Sequence, residues 1–243
     1  MSSDLQGRVV LVTGGSRGIG AAITAALVRE GARVCVAART REDVEAQVEQ
    51  LRALAGDPGA AVGICADVTR EDQVETLFSR CEDELGPLYG LVNNAGNAPV
   101  GPTADFSLEE WRRCIDLNLT GAFLCSREAF RRMPAHGGGA IVNISSGAGK
   151  HGKAQWAAYC AAKSGLHGLA RALSEEGVEL NIRVNTVCPG GTRTELRWSL
   201  FGDEPEGTIL EPDEVAEATL FLLSSRAAQV RGAELDVRQR RPA

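Results

Sequence analysis

Residues 8–31, RVVLVTGGSRGIGAAITAALVREG, decide how the chain folds. RVVLVT is a short apolar run rich in β-branched valine and reads as a buried strand. GGSRGIG follows as a glycine-rich turn, and AAITAALVRE as a helix that Gly31 ends. There, Gly14, Gly18 and Gly20 let the backbone turn tightly and approach a pyrophosphate. The helix N-terminus beyond them offers N–H donors and the positive end of its dipole. The spacing is G-x-x-x-G-x-G rather than G-x-G-x-x-G. It is therefore the strand–turn–helix context, more than the motif, that points to a dinucleotide.

Outward from this unit the pattern repeats. Further strands are predicted at 33–38, 61–68, 88–96 (strand and turn), 140–146, 181–190 and near AELDV. Helices are predicted at 41–56, at 71–85, as two stretches over 107–133, through Tyr159, and at 213–224. Strict alternation of nearly continuous apolar strands with helices signals a parallel sheet covered on both faces. The fold class expected is α/β, a single doubly wound (Rossmann-type) sheet, with residues 1–243 as one domain. Residues 190–212 are the longest stretch without clear period, and such a segment is expected to be a binding loop or lid.

Composition narrows the function. A net charge of −6 argues against a general nucleic-acid surface, and a terminal arm explains the basic tail Arg238 to Pro242 less simply than a frayed end. No run reaches the roughly 18 apolar residues of a membrane helix, and the start lacks a secretory pattern. The seven cysteines are scattered, odd in number and free of C-x-x-C, which argues for reduced thiols in a cytoplasmic protein and against disulfides or a metal site.

Two stretches speak to chemistry. At the end of the second strand stand Ala37, Ala38, Arg39 and Thr40, where an NAD site would want a carboxylate for the ribose hydroxyls. Arg17 in the glycine turn can lie beside Arg39, and two guanidiniums suit a 2′-phosphate, hence NADP(H). Tyr159 and Lys163 are four residues apart in Ala-rich helical sequence and so share a face. An adjacent ammonium stabilises a phenolate and moves an otherwise unsuitable proton donor toward neutral pH. Ser146 follows the apolar run AIVNIS; Ser145 is its rival, and His151 lies between serine and tyrosine.

TGGSRGIG, Asp67-Val68, NNAG (93–96), Asn118, Ser146, Tyr159-x-x-x-Lys163 and CPG (188–190) together resemble the short-chain dehydrogenase/reductase family over nearly the whole chain. Within it, the sequence is most similar overall to 3-oxoacyl-carrier-protein reductases. The resemblance implies that Tyr159 donates a proton to a substrate carbonyl, with Ser146 holding that oxygen. Lys163 would depress the tyrosine pKa and bind the nicotinamide ribose, and Asn118 would hold a water in a proton relay. Cofactor contacts would come from Gly14, Ser16, Arg17, Gly18, Ile19 and Gly20 in the turn. Arg39, Thr40, Asp67, Val68, Asn94, Ala95 and Gly96 would meet the adenosine side, and Pro189, Gly190, Thr192 and Thr194 the nicotinamide side.

The sequence departs from the family at three places. Val237-Arg238-Gln239-Arg240 replaces a glycine-rich ending, the loop Thr194–Glu214 is short, and Thr192 stands where an aliphatic residue is usual. Relatives associate through the helices carrying Asn118 and Tyr159, so a symmetric homodimer or homotetramer is expected. The basic residues that dock acyl carrier protein would fall on Gly137 and Leu180, while Glu175, Glu176 and Glu179 make that helix end acidic. A free small ketone is therefore the expected substrate, reduced with NADPH to a secondary alcohol. Three alternatives stand beside this reading: a 3-oxoacyl-carrier-protein reductase, an NAD-linked alcohol or sugar dehydrogenase, and a non-catalytic dinucleotide-binding regulator.

Overall fold

A computed structural model describes residues 4–205 and 207–239. Seven strands run in the order β3-β2-β1-β4-β5-β6-β7: β1 Val9–Thr13, β2 Arg33–Ala38, β3 Ala61–Cys65, β4 Leu88–Asn93, β5 Gly139–Ile144, β6 Ile182–Pro189 and β7 Glu234–Val237. All neighbours pair in parallel. Eight α-helices accompany them among the described residues: α1 Gly18–Arg29, α2 Arg41–Ala55, α3 Glu71–Leu85, α4 Leu108–Ile115, α5 Gly121–Arg132, α6 Ala157–Glu176, α7 Glu195–Phe201 and α8 Pro212–Leu223.

The two-residue period of a strand sorts its side chains onto two cores. Val10, Val12, Val34, Val36, Val92 and Val142 pack on one face against residues such as Ile23 and Leu27 of α1, Leu51 of α2, and Val215 and Leu222 of α8. Leu11, Cys35, Leu91, Ile141 and Val184 pack on the other against Leu77 and Phe78 of α3, Leu124 of α5 and Leu173 of α6. Because β1 lies between β2 and β4, strand order reverses there, and a crevice opens beyond the carboxyl ends of β1 and β4.

The structure differs from the sequence expectations in three places. β5 ends at Ile144, so Ser145 and Ser146 lie in the turn beyond it rather than in the strand. The stretch over 107–133 includes a π-helical segment, Asp116–Thr120, between α4 and α5. The irregular region 190–212 contains α7, capped by the Thr194 side chain, which accepts from the Arg197 N–H at 3.2 Å.

A buried arginine fastens α8. No basic residue stands in the last turn of α8, yet four carbonyls at and just beyond its end receive donors from Arg183 of β6. Nη1 donates to Leu222 O at 2.6 Å and Ala227 O at 3.1 Å, and Nη2 to Leu223 O at 3.0 Å and Ser224 O at 3.2 Å. Leu222 O and Leu223 O are among the orphan acceptors that a helix C-terminus leaves. Arg183→Met, which keeps the stem and removes the donors, is expected to cost about 3 kcal/mol in urea unfolding. A loss below about 1 kcal/mol would contradict this role.

Candidate active site

The glycine turn is locked to the start of the loop after β4. Asn94 Nδ2 donates to Thr13 O at 3.0 Å and Gly14 O at 2.9 Å, while Thr13 Oγ1 accepts from the N–H groups of Asn94 and Ala95 at 3.0 and 3.2 Å. Gly14 has φ +62°, and a Cβ on Gly20 would stand 2.1 Å from the Gly14 carbonyl oxygen, so α1 reaches the turn only because that side chain is missing. Arg17 caps α1 without a side-chain acceptor, and no acidic residue occupies the first turn. The helix N-terminus therefore keeps free donors facing an anion.

Above this turn lies a cavity of about 550 Å³. Of the residues the sequence singled out, Gly14, Ser16, Arg17, Gly18, Ile19, Arg39, Thr40, Asp67, Val68, Asn94, Ala95, Gly96, Asn118, Ser145, Tyr159, Lys163 and Thr194 line it. Gly20, Ser146, Pro189, Gly190 and Thr192 stand outside its wall. Thr192 instead bridges Leu210 and closes the base of the 190–212 loop. A long cleft with free amide donors at its middle and a polar floor at one end fits an extended dinucleotide.

Where Arg17, Arg39 and Thr40 line the cavity, the expectation of a site without a carboxylate needs correction. The sequence reading found no carboxylate there, but Asp43 of α2 lines the cavity and pairs with Arg17 at 3.4 Å. A helix starting at Arg41 places Asp43 in its first turn, and that register was the available signal. Arg17 also meets Glu195 of α7 at 3.5 Å, so the turn and the lid helix face each other across the mouth.

Tyr159, Lys163 and Asn118, the residues expected to be catalytic, line the same cavity. Tyr159 is half-buried, its ring edge-on to Trp156 with centroids 5.4 Å apart. Burial pushes its phenol up to about 12, opposed by the hydrogen bond to Ser146, with Cys114 and Cys160 adding small upward contributions. Lys163 is buried, and loss of water pulls its ammonium down to about 8. Its Nζ donates to Ile144 O at 2.9 Å and lies 5.6 Å from the Tyr159 ring centroid. The phenol therefore lies above its ordinary value, opposite to the expected lowering by Lys163, because desolvation outweighs the lowering by the Ser146 hydroxyl.

Asn118 stands in the π-helical segment, a local distortion that re-aims a side chain. Its Nδ2 donates to Asn97 O and Oδ1, both at 2.9 Å, and to Cys114 O at 3.0 Å. Its Oδ1 is buried without a partner, next to Gly96 and toward Lys163. An orphaned acceptor at that point suits a relay water or a ligand hydroxyl. Ser145 is set apart from Ser146: it bonds His167 at 2.7 Å, whereas Ser146 serves Tyr159. His151 is exposed, and Cys160 only meets its carbonyl, with Sγ at 4.0 Å.

The lid is pinned by aromatic rings. Phe201 of α7 stacks on Trp156 with centroids 6.0 Å apart, and Arg197 covers the Phe201 ring at 3.9 Å while binding Glu204 at 2.6 and 2.8 Å. Lys153 completes the clasp, 4.1 Å from the Trp156 ring and 4.7 Å from Phe201. Sequence patterning missed the contacts of Trp156 and Lys153 with Phe201 because they join residues about 45 positions apart.

Known proteins resemble this chain in sequence and fold. Residues 8–205 match the family model described as short chain dehydrogenase. The chain is 39% identical to D-threitol dehydrogenase of Mycolicibacterium smegmatis over 95% of its length and 91% of the relative's. It is 40% identical to cis-4-hydroxycyclohexanecarboxylate dehydrogenase of Sinomonas cyclohexanicum, over 95% and 94%. The crystal structure of levodione reductase superposes with a TM-score of 0.91 at 30% identity, covering 97% of each chain. With the match running through the glycine turn, the Asn118 segment and the tyrosine–lysine helix, the chain belongs to the short-chain dehydrogenase/reductase family.

Proposed function

We propose that this protein is an NADP(H)-dependent reductase that converts a small ketone to a secondary alcohol. The observation that carries the reading is the convergence of Tyr159, Lys163 and Asn118, with Ser146 just behind the wall, on a cavity that Arg17 and Arg39 also line. A dinucleotide bound along the glycine turn supplies the hydride. The protein's own part is to meet the negative charge that develops on the carbonyl oxygen, and preorganised donors do this best. Ser146 Oγ and Tyr159 Oη bracket that oxygen, and Tyr159 passes it a proton. The buried Lys163 ammonium opposes the cost of the phenolate left behind. Asn118 Oδ1, with no partner of its own, suits the water that returns a proton toward Lys163. Asp67 fits the adenine side of the same cleft. There its carboxylate accepts from the Thr69 N–H at 3.0 Å and from its hydroxyl at 2.8 Å.

A small substrate is favoured over one presented on acyl carrier protein. Arg131, which could offset the acidic end of α6, pairs with Glu128 at 2.6 Å, and Arg132 pairs with Glu82 at 2.8 Å. Cations already paired attract an acidic partner weakly. Two relatives named for small hydroxylated compounds support the same choice. Leu108, Trp111 and Phe123 expose apolar surface on α4 and α5, which supports a symmetric homodimer or homotetramer. No helix among the described residues is long and apolar enough to cross a membrane, and the seven cysteines are all unpaired. The unpaired thiols support a cytoplasmic setting.

Screening cyclic diketones, hydroxy acids and polyols with each cofactor tests the activity. Tyr159→Phe is expected to lower reduction at least about a hundredfold while cofactor binding stays within about threefold. Near-normal turnover by Tyr159→Phe would remove the tyrosine from its role.

Cofactor choice rests on Arg17 and Arg39 against Asp43. The 2′-phosphate must take Arg17 from its ion pair with Asp43, so preference for NADPH is expected to be about tenfold or more and to fall with Arg39→Ser. Asp43→Asn, which frees Arg17, is expected to tighten NADPH and leave NADH unchanged by titration calorimetry. Equal affinities of the unmodified protein for both cofactors would sink the assignment.

Lys163 sets the pH response. Its lowered value means that the ammonium is present below about 8 and lost above it. kcat/KM for the cofactor in the reductive direction, which reports the free enzyme, should be level near neutrality and decline above about pH 8. A profile level to pH 10, the ordinary range of an exposed lysine, would contradict this.

A further inference from the structure

One stripe of α6 carries Tyr159, Lys163, His167 and Arg171, each four residues beyond the last. The first three reach three consecutive residues after the core of β5. Lys163 Nζ donates to Ile144 O at 2.9 Å, the Ser145 hydroxyl meets His167 Nε2 at 2.7 Å, and the Ser146 hydroxyl pulls the Tyr159 phenol down against its burial. His167 and Ser145 are 3% and 4% exposed, so their bond is shielded from water.

The other ring nitrogen is accounted for as well. His167 Nδ1 lies 2.9 Å from Glu234 Oε2 of β7, and Arg171 Nη1 donates to Glu234 Oε1 at 2.8 Å. Lys150 Nζ stands 3.7 Å from Glu234 Oε2 and 2.9 Å from Asp236 Oδ1, while Cys188 Sγ is 3.8 Å from His167 Nε2. Burial would raise the Glu234 carboxyl, but the His167 N–H, Lys150 and Arg171 hold it below the usual carboxylate range. A carboxylate accepting from Nδ1–H holds the ring in place and keeps Nε2 turned to the Ser145 hydroxyl.

We propose that Ser145, His167 and Glu234 form a positioning chain for the catalytic serine and tyrosine, in which Glu234 orients His167 and His167 holds the residue that joins both catalytic contacts. Residue 145 is the link between the carbonyl that anchors Lys163 and the hydroxyl that meets Tyr159. A shift there moves both at once, and reacting groups tolerate displacements of only about 0.5 Å. The chain also ties β7 to the active site, so the C-terminal strand helps hold the catalytic geometry. This inference rests on the reductase reading of the same site.

Ser145→Ala, His167→Leu and the double variant test it, with melting temperatures showing that each is folded. kcat is expected to fall about tenfold in each single variant while KM and cofactor affinity stay within about twofold. The double variant should be no worse than the weaker single, because the residues act as one unit. Glu234→Gln should show a smaller loss of the same kind. An isotope label at tyrosine Cζ gives a readout that needs no substrate. The chain has two tyrosines, and the resonance of Tyr159 should move in Ser145→Ala while that of Tyr89 stays. Unchanged kcat, an unmoved Tyr159 resonance, or losses that multiply in the double variant would overturn the proposal. If the unmodified protein reduces no carbonyl, the reductase reading fails, and the resonance alone decides whether the chain positions Tyr159. Should His167→Leu not fold, Ser145→Ala, which removes one oxygen, carries the decision.

Discussion

A buried ammonium organises the end of the cavity that holds Tyr159 and Asn118. Lys163 is 4% exposed and holds one carbonyl, Ile144 O, at 2.9 Å. Taking such a charge from water costs several kcal/mol unless polar neighbours answer it. That demand explains where β5 stops, since the carbonyl at its end must turn to the lysine instead of continuing the ladder. It also explains the small side chains around it. A Cβ on Gly96 would stand 2.6 Å from Asn118 Oδ1 and 3.7 Å from Lys163 Nζ, and one on Gly165 would meet Leu119 at 2.7 Å. Only with those positions bare do the Asn94–Gly96 turn and the π-helical segment close on the lysine.

The two ends of the cavity are built by different physics. Backbone geometry makes the cofactor side: a positive φ at Gly14, a helix pressed onto the turn through Gly20, and unfilled amide donors at the start of α1. Desolvated side chains make the catalytic side, where burial raises the tyrosine and lowers the lysine. Both shifts disfavour charge, so under the proposed function a substrate oxygen accepting from Ser146 and Tyr159 would gain most as its own charge grows. The lid joins the two ends, with Glu195 facing Arg17 and Phe201 stacked on Trp156.

How much of this was legible depended on the range of the interaction. Strands and helices whose apolar residues form unbroken runs or stripes were read nearly to the residue, as with Arg33–Ala38 and Glu71–Leu85. α7 was missed because its seven residues are too few for a period and its Leu196, Trp198 and Phe201 are exposed rather than aligned on a core. The π-helical segment leaves no mark in DLNLT, since a single wider hydrogen bond alters no composition. Asp43 against Arg17, Arg183 against α8 and His167 against Glu234 join distant segments, and nothing local to either partner announces the other. The tyrosine, lysine and serine were visible because the spacing along one helix and one strand end already places them. The basic ending was read as an unusual tail; residues 240–243 of it lie outside the described residues, while Glu234 just before it proves to be bonded to the catalytic helix.

Isotope transfer is the measurement that reaches the central claim most directly. A reduced nicotinamide dinucleotide deuterated at C4 is incubated with the protein and a ketone that it turns over, and the alcohol is examined by NMR. Deuterium should appear on the carbinol carbon, from one face of the nicotinamide only, and should be lost in Tyr159→Phe. An alcohol without deuterium from either labelled face, or transfer undiminished in Tyr159→Phe, would contradict the account of a hydride received at a carbonyl held by Ser146 and Tyr159.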